Sequence, residues 1–516
     1  MLPTPTVLQL VPPDLAGRIA SNPEISLAVI GLYVVVFLAI SVVARRQYTE
    51  ELTDYVVASR SLGWFVTAIT ILATGYSGVG VAGFPGTIWT IGAPFIVAVL
   101  TGFAATVPLM WYLGGRIWTL GTELDFDTPG DMLGDYYGSD LVRSYTVVAS
   151  LIFNVAYIVA QLLAGGILLS VLTGGIVPFN VGLVLMAVVV LGHVSLTGVR
   201  GIAYLDTFNG TLISVIVVLF GAFIVAAAGG LGDVFTALPA GLQAQHIALP
   251  SVIGAFSAEV VMLFGIIFTL GTWLMSPAIW IRLYSFDNRA NITRIVVTLL
   301  AFLAITYMTG LYLVATWGKS VFPEVANPDF VSSLLAFEVM PYVLAVLFLA
   351  AVLAAVISTT DSYLHALSAT VTRDFFKAVV YEEMDDRTEL RFNYGVMILA
   401  TAIAIVGSLF YPGLITPLAA FAGAFTIMLL PPLFGAVAWP RASTEAAIVA
   451  PAVGVLLVLA YQFGVPLPNP FPVPLVPGLV VAFAASVLLF VGISLFTRPV
   501  PTDRLEAFHG IINREF

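Results

Sequence analysis

The chain of 516 residues has no cysteine, only two lysines (Lys319 and Lys377) and few charges of either sign, 9% in all. Without cysteine, disulfides, thiol chemistry and thiolate metal sites are excluded. Four scattered histidines do not suggest a metal cluster. Long polar segments are also missing. The longest stretches between apolar runs, about 114–142 and 230–255, are too small for cores of their own, which excludes a separate kinase or binding domain. No grouping of base, nucleophile and metal ligands marks an enzyme, and no cofactor or nucleic-acid partner is expected. The amino terminus, MLPTPTVLQLVPPDLAGR, lacks the basic and short apolar regions of a cleaved signal, so the first apolar run reads as a retained helix.

What is present is apolar: 60% of the residues are hydrophobic and they fall in repeated runs of about 20, the length that crosses a bilayer as a helix. Thirteen spans are expected, at about 26–44, 64–91, 93–113, 143–172, 178–197, 203–229, 257–281, 295–316, 341–371, 391–410, 413–439, 444–463 and 474–497. With the amino terminus outside, all basic residues except Arg18 and Lys319 fall in cytoplasmic loops, Arg282 and Arg289 among them. The fold class is therefore an all-α polytopic protein of the cell membrane, amino terminus out and carboxyl terminus in. The net charge of −10, carried with 17 arginines and two lysines, points to a halophilic prokaryote, although GC-rich codon usage also favours arginine.

Two spans carry interruptions. The second contains ATGYSGVGVAGFPG (73–86), with five glycines and a proline, and the seventh contains FTLGTWLMSPAIWIR (268–282), with a glycine and Pro277. Such breaks free backbone carbonyls at membrane depth, and their recurrence in two halves points to an inverted-repeat secondary transporter. A glycine-lined packing groove is the competing reading of the first break taken alone. The expected organisation is one transmembrane domain over 1–516: a peripheral helix at 26–44, repeats at 60–229 and 257–439, and two peripheral helices at 444–497.

The ninth span holds AAVISTTDSYL (354–364). In a helix, Ala355, Ser358 and Ser362 share a face and Thr359 lies one position round, so two hydroxyls can point at one spot. A small hard cation takes several oxygens in place of water, and freed carbonyls supply the remainder. Singly, each hydroxyl reads as back-bonded to its own helix. Asp361 is different, because an ionised Asp at mid-helix costs about 2.5–3.5 kcal/mol on insertion scales. It is expected to face a polar interior or a cytoplasmic vestibule, as part of an ion path. Asn154, Tyr157 and Gln161 share a face of the fourth span, where they line a solute path or bond between helices. His193 and His365 are not expected to carry protons.

Three stretches resemble the sodium:solute symporter family, in the family's order: RSLGWFVTAITILATGYSG (60–78) with the following GFPG, GVRGIAYLDTFNG (198–210) and AAVISTTDSYLHALSATVTRDFFK (354–377). The resemblance covers most of the chain. It implies a five-plus-five inverted-repeat fold of the leucine-transporter type, with sodium as the coupling ion and a small organic solute as cargo. The implied sodium ligands are the carbonyls of Ala73, Tyr76 and Ala355 and the hydroxyls of Ser358 and Thr359; sodium is the only metal implied. Asp206 and Asp361 are implied ion-path or gate residues, and Ser77, Trp273, Pro277, Asn154 and Gln161 candidate solute contacts. The family's proline transporters carry Asp, Tyr, Trp and Gln where this chain has Gly75, Trp273, Thr269 and Ser276, which argues against proline as the solute. Proton-coupled or uncoupled transport, or a transporter-like sensor, are the alternatives.

Overall fold

The computed structural model describes residues 13–47, 52–238, 243, 258–381, 384–411, 413–470 and 475–516. Among these, the secondary structure is helical apart from one isolated bridge. The long elements are α1 (Pro23–Gln47), α2 (Trp64–Tyr76), α3 (Val79–Ile91), α4 (Ala93–Glu123), α5 (Asp140–Leu172), α6 (Phe179–Ala228), α7 (Ala258–Leu274), α8 (Pro277–Ser285), α9 (Arg289–Val321), α10 (Tyr342–Val380), α11 (Asp386–Phe410), α12 (Ile415–Ala438), α13 (Thr444–Gln462) and α14 (Leu479–Phe496).

Ten of the described helices are long and apolar enough to cross a membrane, or twelve if each of two bent pairs is one span. The pairs are α2 with α3, bent by 51°, and α7 with α8, bent by 57°. Both breaks fall where the sequence interrupts its apolar run. The helix α6 is a single element of 50 residues, about 75 Å at 1.5 Å per residue and far beyond one bilayer crossing. It turns at Gly198, whose φ of 56° and ψ of −162° are not helical. A Cβ there would lie 2.8 Å from the Tyr55 ring and 2.9 Å from its carbonyl, so only glycine fits. Expected spans 178–197 and 203–229 lie on either side of that turn.

Within the spans, α4 runs on to Glu123, α10 to Val380, and the short helix Pro129–Tyr137 occupies much of the segment read as a loop. A membrane helix does not stop at the bilayer edge when its continuation packs on protein. The peripheral α1 is mostly exposed on the protein surface and α14 is buried over only a third of its length, as lipid-facing helices are, whereas α10 is largely buried, packed by α5 and α6.

The start of α2 is tied to the end of α8. Leu62 N–H donates to the Ser285 carbonyl at 3.0 Å, and Asp287 N–H donates to the Leu62 carbonyl at 3.0 Å. Just before this bridge, Ala58, Ser59 and Arg60 all have positive φ (52°, 49° and 53°), a run that costs about 1–2 kcal/mol per residue for L side chains. Ion pairs hold it: Arg60 reaches Asp127 at 3.0 Å, and Arg200 pairs with the buried Asp54.

Candidate functional site

The two breaks and the middle of α10 meet in the core. The helix α2 ends at Tyr76, and the Ser77 N–H makes no helical bond back, so the carbonyls of the last turn are open to other donors. Thr359 of α10 uses one of them: its hydroxyl is 3.2 Å from the Thr74 carbonyl and 3.0 Å from that of Ala355. Tyr307 uses another, donating to the Gly75 carbonyl at 3.3 Å. Across the break, Gln161 of α5 accepts from Gly78 N–H at 2.7 Å and Ser77 Oγ accepts from Gly80 N–H at 3.1 Å.

The five residues implied as sodium ligands, Ala73, Tyr76, Ala355, Ser358 and Thr359, are all buried and sit on the two helices joined by the Thr359 bridge. Their oxygen atoms are hydroxyls and carbonyls without a formal charge, a donor set that fits a monovalent hard cation. The described residues hold no group of three or more His, Cys, Asp or Glu side chains that could bind a metal.

Beside this set lies a charged network that the sequence reading did not assemble. Asp206, fully buried on α6, accepts from Ser358 at 2.5 Å, from Thr70, and from Arg282 at 3.0 Å. Arg282, only 1% exposed in the last turn of α8, donates further to Thr70 at 2.9 Å, to the Ala278 carbonyl at 2.9 Å and to Ser362. The placing of Arg282 in a cytoplasmic loop is therefore corrected: this guanidinium is inside the bundle and says nothing about topology. Its partner could have been sought from the sequence, because a membrane Asp such as Asp206 needs a compensating cation.

Asp361 is not among these. It faces the other way, to His193 of α6, with 2.6 Å between Oδ2 and Nδ1 and both side chains fully buried. His365 meets the Tyr55 carbonyl at 2.9 Å. Asn209 donates to the Ala354 carbonyl at 3.0 Å and accepts from Tyr33 of α1 at 3.4 Å, and Phe37 of α1 packs on the His193 ring at 4.8 Å, so the first helix reaches the core through both aromatic side chains.

The candidate solute contacts divide. Ser77 and Trp273 line one cavity of about 10 Å³ between the two breaks, with Gly75, Phe103, Tyr157, Thr269 and Thr272. That volume holds about one water, so an organic solute enters only when the aromatic wall moves. Trp273 lies so close to Gly75 that a Cβ on Gly75 would be 1.7 Å from the indole. Pro277 begins α8 after the break. Gln161 is at the first break, whereas Asn154 donates to Ser150 of its own helix at 2.8 Å and Tyr157 between them reaches the cavity.

Comparison with known proteins agrees with this architecture. The sodium/pantothenate symporter of Escherichia coli (strain K12) is 28% identical over 432 residues, 82% of this chain and 88% of that protein. The sodium/proline symporter of the same organism is 25% identical over 459 residues, 84% of this chain and 87% of that protein. Among solved structures, the substrate-bound outward-open state of a Na+-coupled sialic acid symporter superposes with a TM-score of 0.77 at 18% identity, covering 92% of this chain and 99% of that one. Residues 55–454 match the family described as "Sodium:solute symporter family". The chain belongs to the sodium:solute symporter family.

Proposed function

We propose that the protein takes up a small organic solute by alternating access, with sodium entering on the same cycle. The observation that carries this reading is the Thr359 bridge, which sets the Thr359 hydroxyl of α10 against the carbonyl end of α2, with Ser358 the preceding residue on the same helix. Sodium there is held by Ser358 and Thr359 with the carbonyls of Ala73, Tyr76 and Ala355. Ion binding then joins α2 to α10, and its release lets them part. The reading is favoured over proton coupling because both nearby carboxylates are already matched, Asp206 with Arg282 and Asp361 with His193. Asp206, bonded to Ser358, is the first group sodium meets on leaving the site, and Asp361 lies further along the same helix as Ser358.

The solute binds between the breaks against Ser77, Trp273 and the start of α8 at Pro277, with Gln161 fixing the first break; Asn154 is placed further along the same face of α5. Among its described lining the cavity has no charged side chain, but it reaches the start of α3 at Val79 and Gly80, and helix starts attract anionic groups. A small carboxylate is the solute class this favours, and pantothenate, transported by the relative in Escherichia coli, is the first to test. Counting the turn at Gly198 and each bent pair, the chain crosses the cell membrane thirteen times, amino terminus out, with repeats at 60–229 and 257–439. Each repeat opens on a broken helix. The lysine-poor, acidic composition suits a halophilic prokaryote.

One sodium ion moving through 100 mV is worth about 2.3 kcal/mol, enough for about a fortyfold solute ratio. The test is uptake of radiolabelled pantothenate, proline and other small carboxylates into proteoliposomes under an imposed sodium gradient. Accumulation of one of them that requires sodium is expected. Uptake equal in sodium and choline overturns the reading.

A further inference from the structure

We propose that the groove between α5, α11 and the end of α10 holds an anionic phospholipid, its phosphate on Arg391 and an acyl chain laid along α11. The proposal concerns the outer face of the bundle and does not depend on the coupling ion.

The groove has a volume of about 710 Å³. Its walls include Val148 and Leu151 of α5, Phe375 of α10, and Phe392, Leu399 and Ile403 of α11, all exposed although large and apolar. Apolar surface left uncovered in this way marks contact with a membrane or a partner. Among the described lining residues only Ser144 and Arg391 are polar, and each stands in the second turn of its helix, α5 and α11. The groove is therefore apolar along its length and basic at one end. From Arg391 to Ile403, α11 rises about 18 Å at 1.5 Å per residue, close to the ~15 Å that one leaflet contributes to a hydrocarbon core of about 30 Å. An acyl chain in that leaflet has its headgroup level with the arginine.

The charge at that end is available to a ligand. Other cations of this corner are taken: Arg373 pairs with Asp127 and lies 3.5 Å from Glu389, and Lys377 pairs with Glu389 at 2.6 Å. Arg391 is exposed, and among the described residues no carboxylate comes within ion-pairing distance of it; Asp385 is near enough only to feel its charge. Arg387 lies one turn before it on the same face and is exposed as well. Phe376 packs on Phe392 with 5.0 Å between ring centroids, so α10 and α11 frame the mouth together. An arginine fork matches a phosphate, and basic pockets between spans on the cytoplasmic side take the headgroups of anionic lipids. This is the end of the bundle placed in the cytoplasm above. A lipid seated here joins α11 to the helix that carries Ser358 and Thr359 and to the helix that carries Gln161, and its binding adds to the stability of the folded protein by mass action.

The test is the melting temperature of the purified full-length protein in detergent, titrated with phosphatidylglycerol, with phosphatidylcholine of the same acyl chains and with water-soluble glycerol phosphate. Native mass spectrometry counts the lipid retained. For the wild type, phosphatidylglycerol is expected to raise the melting temperature and stay bound, phosphatidylcholine to do so less, and glycerol phosphate not at all. Arg391→Gln is expected to weaken the response to phosphatidylglycerol about fivefold, the effect of one basic residue at an acidic lipid. Gly395 lies midway along the groove, where an added Cβ meets no atom within 4 Å, so a larger side chain fills the groove without displacing the protein. Gly395→Leu is expected to fold at least as well without lipid and to lose the response to both lipids, whereas Arg498→Gln, at an exposed arginine elsewhere, responds as the wild type does. The proposal is overturned by an equal wild-type response to the two phospholipids, by a full response to glycerol phosphate, by an undiminished response in Arg391→Gln or Gly395→Leu, or by an equal loss in Arg498→Gln. A dimer that Gly395→Leu disrupts, with no lipid retained, overturns it as well and gives the groove to a second copy of the chain.

Discussion

The two broken helices differ in what happens to the backbone they expose. At the first break, the end of α2 offers its carbonyls to side chains of other helices: Thr359 from α10 bonds to Thr74, and Tyr307 from α9 to Gly75. At the second, the Thr426 hydroxyl of α12 takes the Gly271 carbonyl at 2.7 Å, and the last turn of α7 is otherwise closed by the residues of the break itself and by α8. Trp280 Nε1 donates to the Leu274 carbonyl at 2.9 Å, Ser276 N–H to the Trp273 carbonyl at 2.9 Å, and Met275 N–H to the Leu270 carbonyl at 2.9 Å. At the first break, then, side chains of other helices bond the carbonyls of the last turn, whereas at the second the last turn is closed largely by backbone and Trp280, and its side chains go elsewhere, Trp273 to the cavity and Arg282 to Asp206. The two related breaks thus bond their backbone differently.

The most direct way to upset this division is to force the breaks apart. Gly75→Ala places a methyl group where the Trp273 indole sits, and overpacking of this kind typically costs about 1–3 kcal/mol. Expected results are a lower melting temperature, loss of uptake and a shift in tryptophan fluorescence as the indole moves. Trp273→Ala in the same chain should restore stability, because it vacates the contested space.

A smaller effect is expected from Gln161→Leu, which removes the acceptor for Gly78 N–H and leaves that buried donor unpaired, a loss of about 1–3 kcal/mol. Hydrogen exchange at the break should accelerate, while exchange around Ser276 stays unchanged. Equal acceleration at both breaks would contradict their independence.

How much of this was legible in the sequence depends on which kind of information each feature uses. Apolar runs of bilayer length and the glycine and proline interruptions are local, so the spans and both breaks were readable. Helical periodicity puts Ser358 on a face with Ala355 and Ser362 and Thr359 one position round, so the two hydroxyls are readable as neighbours, while their separate partners, Asp206 and the Thr74 carbonyl, are not. Partner choice was not. Arg282 stands at the very end of an apolar run and reads there as an interfacial charge, while its true partner, Asp206, is 76 positions away on another helix. Asp361 needs a polar neighbour, but nothing in its own helix names His193. The length of α6 and the extension of α10 depended on protein packing beyond the bilayer, which hydropathy does not sense.

A pH-dependent effect is expected outside the membrane spans, where Asp329 joins the turn Pro328–Phe330 to the start of α12 by accepting from Ile415 N–H at 3.1 Å. Burial pushes its carboxyl up to about 7, against which the single N–H bond pulls down only partly. A carboxyl raised on folding binds more protons in the folded state than in the unfolded one. Its contribution to stability is therefore full below about pH 4 and is lost as pH rises toward about 7, with no further change above. Melting temperatures measured from pH 4 to 8 should show this decline in the wild type, and Asp329→Asn should flatten that part of the curve without altering sodium binding.

The central claim is that sodium binds where the open end of α2 meets the hydroxyls of α10. It is tested most directly by titrating sodium-dependent uptake in the wild type, in Ser358→Ala and in Thr359→Ala, with Thr360→Ala as the control. The Thr360 hydroxyl bonds to Val356 of its own helix at 2.6 Å. Each of the first two variants is expected to need at least about tenfold more sodium, equivalent to about 1.4 kcal/mol of lost binding, with the control unchanged. Wild-type sodium affinity in both Ser358→Ala and Thr359→Ala would contradict the account.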